Sequence, residues 1–340
     1  MNNFEAALRG HDHETIPVWF MRQAGRYLQG YRNVRKHHSI KDICRDTSLT
    51  LQVTEEPVRE LGVDAAIIFS DIMLPVEAMG FRLDFREGTG PVVENSLKSN
   101  PGLSGITSYD PHNYGYATLE AISKFRENNT GVPIIGFSGG PITIASYLAQ
   151  GRPDKDLAFT KSLLIKEHPG FISIIEMIKE MVIENCRQQI KRGTTAIQIF
   201  DSWSGYLSPY QFRKYARDYL QEIASELSSS STTIYFSTQT GGIIPELRET
   251  GFNFLSLDWR IRLHEVSMHL DHDTGLQGNL DPTLVSGSPP EAMTETSTII
   301  SEMRQFPSYI FNLGHGVLPD TNPQTLKDIV KLVHGEGRSK

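Results

Sequence analysis

The stretch DAAIIFSDI, residues Asp64 to Ile72, decides the fold because it joins a short apolar run directly to the polar pair Ser70-Asp71. A short apolar run with polar or turn-forming residues at its ends is typical of a buried strand. Similar runs recur along the chain and give eight candidate strands: Pro17 to Phe20, Asp64 to Phe69, Pro133 to Phe137, Ala196 to Phe200, Thr233 to Phe236, Phe252 to Leu257, Gly275 to Gly278 and Tyr309 to Asn312.

Stretches with the helical period fill most of the intervals between these runs: Thr47 to Leu61, Ile172 to Arg192, Pro209 to Leu227, Ile243 to Thr250, Glu291 to Arg304 and Pro323 to Val333. This alternation predicts an α/β protein with a parallel sheet, and eight repeats predict a single (β/α)8 TIM-type barrel. We find no domain-dividing linker, so residues 1–340 are expected to form one domain, with residues 334–340 as a frayed tail. The interval from Asp71 to Gly131 is too long for a simple crossover and is expected to be a lid or a binding excursion.

The composition, 39% apolar and 21% charged in 340 residues, is that of a globular protein. The apolar runs are far shorter than the roughly 20 residues that span a bilayer, and the N-terminus lacks the features of a signal or transit peptide. Cys44 and Cys186 are the only cysteines and have no CxxC partner, which fits a reducing compartment. We therefore expect a cytoplasmic protein without membrane contact, and the net charge of −7 argues against nucleic acid as the main partner.

Positive charge is nevertheless concentrated in one place. Between Glu14 and Asp42 there is no acidic residue, whereas the same segment holds Arg22, Arg26, Arg32, Arg35, Lys36 and Lys41. On charge alone this segment is best explained as a solvated basic helix.

Barrel enzymes place their active-site cleft at the carboxyl ends of the strands. The residues that follow the candidate strands are polar: Arg22, Arg26, Ser70, Asp71, Ser138, Asp201, Ser202, Ser237, Thr238, Gln239, Asp258, Asn279, Asp281 and His315. Arginine binds carboxylates through two parallel hydrogen bonds and stays charged. Arg22 and Arg26 together therefore predict an anion site; they would share one face if the segment is helical, and Gly25 would let a ligand approach the backbone.

Several other chemistries lack support. No lysine directly follows a candidate strand, which argues against a Schiff base, and neither GxGxxG after a strand nor a P-loop is present. His11-Asp12-His13 precedes the first strand and is more simply explained as solvated surface. A metal site formed by Asp71, Asp201, Asp258 and His315 stays open as the less favoured alternative.

PVWFMRQAGRY, Pro17 to Tyr27, resembles the signature of the uroporphyrinogen decarboxylases. Five further stretches agree with that family in type and order: DAAIIFSDI, GGPITIASYLAQG (Gly139 to Gly151), QIFDSWSGYLSP (Gln198 to Pro209), LQGNLDP (Leu276 to Pro282) and FNLGHGVLPDTNP (Phe311 to Pro323). The resemblance implies a distorted (β/α)8 barrel that forms a homodimer and uses no metal or other cofactor. It implies a carboxy-lyase of porphyrin and haem biosynthesis that converts uroporphyrinogen III to coproporphyrinogen III by removing carbon dioxide from the acetate side chains.

The resemblance also implies roles for single residues. Asp71, Arg22, Tyr147 and His315 would be catalytic, and the segment Arg22, Gln23, Ala24, Gly25 and Arg26 would bind substrate, with its arginines on carboxylates. Asp71 would accept the pyrrole N–H groups, Tyr147 would contact the reacting acetate, Ser202 would bind a carboxylate and His315 would complete the polar wall. Two simpler explanations stay open: Tyr147 as a core aromatic residue and Ser202 as a helix N-cap. Asp71, His315 and a bound water all remain candidates for the proton donor.

The chain departs from the family pattern at two places near the expected site. Gln29-Gly30 replaces the usual proline and acid, and Ser237-Thr238-Gln239 stands where many members carry a lysine followed by glycine. One cationic contact with the substrate is therefore expected to be missing.

Two rival functions remain to be considered. A zinc methyltransferase with the same barrel would need a His-x-Cys motif and a later cysteine at strand ends, and the sequence offers neither. A tetrapyrrole-binding or organic-anion-binding protein without catalysis would be favoured if Asp71 were absent, and Asp71 is present.

Overall fold

The computed structural model describes residues 1–86, 88–111, 115–270 and 273–336. Its main sheet is parallel and has seven strands in the order β1-β4-β5-β6-β7-β8-β9, and β2 and β3 form a separate antiparallel hairpin. The strands are β1 Ala66–Ile67, β2 Leu83–Arg86, β3 Gly90–Val93, β4 Ile134–Gly139, β5 Ala196–Phe200, β6 Thr232–Phe236, β7 Phe254–Ser256, β8 Gly275–Leu280 and β9 Tyr309–Leu313. The predicted α/β class and parallel sheet are confirmed.

The first predicted strand, Pro17 to Phe20, is not a strand in the structure but a single parallel bridge between Val18 and Phe311. Pro17 has no N–H to donate, and the N–H of Val18 donates to the Asp64 carboxylate at 2.7 Å instead of to a neighbouring strand. The segment still contacts both edges of the sheet. Phe311 N–H donates to Pro17 O at 2.9 Å, and Asp64 N–H donates to Val18 O at 2.8 Å. The described residues therefore form a curled sheet of seven strands, and the segment predicted as the first of the eight strands contributes only this bridge and these backbone hydrogen bonds.

Helices follow most of the strands and cover the outside of the sheet. They are α1 Asn3–Leu8, α2 Gln29–Arg35, α3 Ile40–Arg45, α4 Thr47–Leu61, α5 Tyr116–Asn128, α6 Pro141–Gln150, α7 Ala158–Ile165, α8 Pro169–Lys191, α9 Pro209–Tyr215, α10 Arg217–Ser228, α11 Ile244–Arg248, α12 Leu263–Ser267, α13 Pro282–Gly287, α14 Pro289–Met303 and α15 Pro323–Glu336. The helix predicted from Pro209 to Leu227 is divided into α9 and α10 at Ala216, whose φ of −123° departs from helical geometry.

The long interval after β1 contains structure of its own. It holds the 3-10 helix Leu74–Met79, the β2–β3 hairpin and α5. The described residues end at Glu336, the last residue of α15. Of the predicted tail, residues 334–336 belong to this helix and residues 337–340 lie outside the described residues. In the part of the chain that the structure describes, no helix has the length and apolar character needed to cross a membrane.

A buried polar network lies inside the curl of the sheet, below the carboxyl ends of the strands. Gln277 of β8 accepts a hydrogen bond from Trp19 Nε1 at 2.9 Å and donates to Gln198 of β5 at 3.0 Å and to Ser256 of β7 at 2.8 Å. Because this network links side chains from distant strands, it fixes their relative positions beneath the site.

Candidate active site

A cavity of about 190 Å³ lies at the carboxyl ends of the strands. Five of the predicted site residues line it, namely Arg22, Ala24, Asp71, Ser202 and His315, together with apolar side chains that include Ile67, Phe69, Phe137, Phe200 and Phe236. Gln23, Gly25, Arg26 and Tyr147 are not among its lining residues. The sequence thus predicted several of the side chains that the fold brings together here.

The segment from Arg22 to Arg26 is a loop. We expected the two arginines to share one face only if this segment were helical, and it is not. Helix α2 begins only at Gln29, and Arg22 has a φ of +57°, which is left-handed backbone. The loop is held by the buried amide of Gln23, which accepts from Phe20 N–H at 3.3 Å and donates to Ala65 O at 3.2 Å. The Gln23 side chain therefore anchors the loop within the fold, while Arg22 and Arg26 are exposed.

The stem of Arg22 lies against the loop that carries His315. A Cβ added to Gly316 would lie 2.4 Å from Arg22 Cδ, so only glycine leaves room for the arginine there. The two loops are also joined by their backbones. Val317 N–H donates to Met21 O at 2.8 Å, and Met21 N–H donates to the Asn312 side chain at 3.0 Å. Arg22 and His315 are consequently positioned as one unit.

Asp71 follows β1 and is half-buried in the cavity wall. Burial raises the pKa of the Asp71 carboxyl, whereas a 2.8 Å hydrogen bond from Met73 N–H and the charge of Arg22 lower it. The carboxylate is thus partly desolvated and lies within the field of one arginine.

His315 presents a neutral ring to the site. Burial, together with the charges of Arg22 and Arg260, lowers the pKa of His315 to about 4. Gly316 N–H donates to His315 Nδ1 at 2.7 Å, so the neutral tautomer carries its proton on Nε2. His315 can therefore donate a hydrogen bond at neutral pH without carrying a charge.

Tyr147 lies on α6 and stacks on Trp203, with ring centroids 4.7 Å apart. Burial and the Asp71 carboxylate raise the pKa of Tyr147 to about 12, while Arg22 lowers it. Its hydroxyl stays protonated at neutral pH, and these electrostatic effects place it near both charged residues. The stacking partner Trp203 was not predicted, because nothing in the sequence pairs residues 203 and 147.

Asp201, which the sequence analysis named among the side chains at the strand ends, stabilises the fold and does not line the cavity. It is fully buried and accepts hydrogen bonds from Thr143 N–H at 2.7 Å and from the Tyr235 hydroxyl at 3.1 Å. Burial raises the pKa of Asp201 to about 6, against the effect of these hydrogen bonds. Thr143 lies in the first turn of α6, one turn before Tyr147, so Asp201 holds the helix that carries the tyrosine.

The neighbouring Ser202 lines the cavity, and its carbonyl accepts from Thr238 Oγ1 at 2.7 Å. Asp258, also fully buried, accepts from Gln239 N–H at 2.7 Å and pairs with Arg260. Within the described ranges, no group of three or more acidic, histidine or cysteine side chains is arranged to hold a metal ion. Both cysteines are buried.

A curled parallel β/α sheet with an arginine, a carboxylate and a neutral imidazole lining a cavity at its carboxyl edge is the arrangement of a β/α-barrel-like enzyme. Residues 1–336 match the family described as uroporphyrinogen decarboxylase. The chain is 42% identical to a uroporphyrinogen decarboxylase from Thermoplasma acidophilum and 43% identical to one from Picrophilus torridus, in each case over 98% of this chain and 99% of the relative. The chain belongs to the uroporphyrinogen decarboxylase family.

Among solved structures, a methyltransferase from Methanosarcina mazei superposes with a TM-score of 0.81, covering 97% of each chain at 21% identity. This similarity concerns the fold.

Proposed function

We propose that the chain is a uroporphyrinogen decarboxylase that removes carbon dioxide from the acetate side chains of uroporphyrinogen III and yields coproporphyrinogen III. Membership of the family supports the reaction. The observation that carries the proposal is the half-buried Asp71 carboxylate, which lines an otherwise largely apolar cavity beside Arg22.

The reaction has a demand that this site can meet. When the bond between the acetate methylene and the carboxylate breaks, its electron pair must move into the pyrrole ring, so the ring must first be protonated at carbon. The ring then carries positive charge, which an anion fixed in a desolvated cleft stabilises where the charge forms. Asp71 is assigned this role, with its oxygens directed at the pyrrole N–H groups. A proton finally replaces the lost carboxylate on the methylene carbon, and the ring carbon releases its own.

The other residues bind and orient the substrate. Arg22, which lines the cavity, and Arg26, an exposed cation of the same loop, are assigned to substrate carboxylates. Ser202, the neutral Nε2–H of His315 and the Tyr147 hydroxyl are assigned as uncharged hydrogen-bond donors to the reacting side chain. Uncharged donors there leave Asp71 as the anion that faces the developing cation.

We further propose that one domain, residues 1–340, closes as a distorted (β/α)8 barrel through Pro17 to Phe20. The hydrogen bonds of this segment to Phe311 and Asp64, at the two edges of the sheet, support closure. A cytoplasmic homodimer that needs no metal or other cofactor is proposed from the family resemblance, and sedimentation analysis tests the dimer.

The test is anaerobic incubation of the purified protein with uroporphyrinogen III, without added metal or cofactor, and separation of the products after oxidation. We expect coproporphyrin to accumulate. Two unit charges about 4 Å apart interact by about 4 kcal/mol at a protein-like dielectric, so Asp71→Asn should lower kcat by roughly three orders of magnitude while uroporphyrin binding is retained. Asp218→Asn, an exposed change on α10, is the matched control and should keep full activity.

Two results would contradict the proposal. A folded protein that binds the porphyrin but converts none of it would be a binding protein without this chemistry. Activity that needs both zinc and a corrinoid would indicate methyl transfer.

A further inference from the structure

The loop after β7 places an arginine that was not predicted, Arg260, at the carboxyl edge of the sheet. Its guanidinium pairs with the fully buried carboxylate of Asp258. Asn279 Nδ2 donates to Asp258 O at 2.9 Å and to Ile261 O at 2.7 Å, which fixes the loop on both sides of the arginine. The position of Arg260 is thus set by the fold and not by chance surface contact.

The guanidinium of Arg260 is fixed in position but still has N–H groups that donate no hydrogen bond to Asp258. It lies over the ring of Trp259, with Cζ 4.2 Å from the centroid, and 47% of the side chain is exposed. The hydrogen bond to Asp258 uses one terminal nitrogen, which leaves further N–H groups for a planar anion. A stacked and paired arginine loses little conformational freedom on binding, so it is preorganised for a carboxylate.

Arg260 also lies close to the active site. A Cβ on Gly314 would lie 2.5 Å from Trp259 N, so this loop packs directly against the turn before His315. Arg260 and Arg22 are the two cations that lower the pKa of the His315 ring. His315 therefore lies within the fields of two arginines that belong to different loops.

We propose that Arg260 binds a carboxylate of the substrate at the rim formed by the loop after β7, as a specificity-determining residue distinct from the Arg22 to Arg26 segment. This inference rests on the proposed function, which supplies an eight-carboxylate macrocycle. Such a molecule is far larger than a cavity of about 190 Å³, so most of it must lie over the rim. Arg260 supplies a cation beside Gln239, whose N–H donates to the same Asp258 oxygen at 2.7 Å.

The surroundings of Arg260 decide the side from which a carboxylate approaches. Arg260 does not line the cavity of the active site; with Arg262 it lines a second cavity of about 360 Å³, which the acidic side chains Asp281, Glu295 and Glu302 also line. Those acids repel an anion. The carboxylate is therefore expected on the side of His315, whose neutral ring lies within the fields of both Arg22 and Arg260.

The experiment measures the affinity of the protein for uroporphyrin, the stable oxidised octacarboxylate, by fluorescence titration at low and high salt. Arg260→Gln should weaken binding roughly tenfold, as expected for the loss of one charge-assisted hydrogen-bonded contact. It should raise KM for uroporphyrinogen by a similar factor with little change in kcat. Arg260→Lys, which keeps the charge but loses the fork, should give an intermediate loss.

Arg262→Gln is the matched control, since it removes the same charge from the same loop at a side chain paired only loosely with Glu265, at 3.9 Å. It should bind as the unmodified protein does. Equal affinities of the Arg260→Gln and Arg262→Gln variants would overturn the inference, as would failure of the unmodified protein to bind uroporphyrin. If the protein binds uroporphyrin but does not convert uroporphyrinogen, the proposed function fails, and the comparison of the two variants still decides the role of Arg260.

Discussion

Replacement of Tyr235 by phenylalanine should destabilise the protein more at pH 8 than at pH 5. The Tyr235 hydroxyl donates to Asp201 at 3.1 Å and contacts Ser204 Oγ at 2.6 Å, and all three side chains are fully buried. Burial raises the pKa of Asp201 to about 6. The carboxyl is thus largely protonated at pH 5 and charged at pH 8, where it depends most on its donors.

The size of the effect follows from the charge on the acceptor. A hydrogen bond between neutral groups contributes about 1 kcal/mol, and one to a charged group about 1.5–3 kcal/mol. Because the folded-state pKa of Asp201 lies above the unfolded value, its contribution to stability is present at low pH and is lost as the pH rises through about 6. The variant raises this pKa further, so the additional loss falls above pH 6. We expect a destabilisation of about 1 kcal/mol at pH 5 and about 2–3 kcal/mol at pH 8.

Urea unfolding of the two proteins at both pH values measures this difference. Tyr309→Phe is the matched control, because Tyr309 is also fully buried but its hydroxyl donates to a carbonyl, Gly278 O, at 2.5 Å. Its destabilisation should therefore be the same at both pH values. If the Tyr235→Phe change is equally independent of pH, Asp201 does not titrate near neutrality and the account of this network is wrong.

Two further predictions concern the site. Since the pKa of His315 is about 4, His315→Asn should lower kcat without changing the shape of the pH profile between pH 5.5 and 8; loss of an acidic limb near pH 6.5 in the variant would contradict this. Gly140→Ala should destabilise the protein by more than about 2 kcal/mol, because the added Cβ would lie 2.2 Å from Asp201 Cβ. Thermal unfolding measures this loss, and Gly287→Ala is the control because a Cβ there meets open space.

The sequence predicted the strand-end positions of the site well, because a parallel β/α protein brings all carboxyl ends to one edge. Asp71, Ser202 and His315 lie at that edge for this reason alone. The conformation of the Arg22 loop could not be predicted. It depends on the bond from the Gln23 amide to Ala65 O, and these residues are 42 positions apart.

The same limitation explains Asp201 and Arg260. Asp201 follows a strand and looks like a ligand from sequence, but a buried carboxylate either binds substrate or satisfies donors of the fold, and spacing does not distinguish the two. Arg260 was not predicted. In the structure Asp201 accepts a hydrogen bond from the N–H of Thr143 in the first turn of α6, so its carboxylate holds that helix and does not face the cavity. Arg260 gains its importance from Trp259 and Asp258, and the clue available beforehand was an arginine two residues after a strand-end aspartate.

The electrostatics of the cleft couple substrate binding to the protonation of Asp71. Burial raises the pKa of this carboxyl and Arg22 lowers it. A substrate carboxylate that pairs with Arg22 offsets the arginine's charge, and the macrocycle excludes water from the cavity, so both changes raise the proton affinity of Asp71. His315 responds to the two changes in opposite senses: pairing of Arg22 raises the pKa of His315, whereas further exclusion of water lowers it. An anionic substrate that pairs with Arg22 therefore raises the pKa of Asp71 more than a neutral ligand of the same shape, which acts through desolvation alone. The cation that forms on the pyrrole ring lowers this pKa again, so Asp71 faces it as an anion.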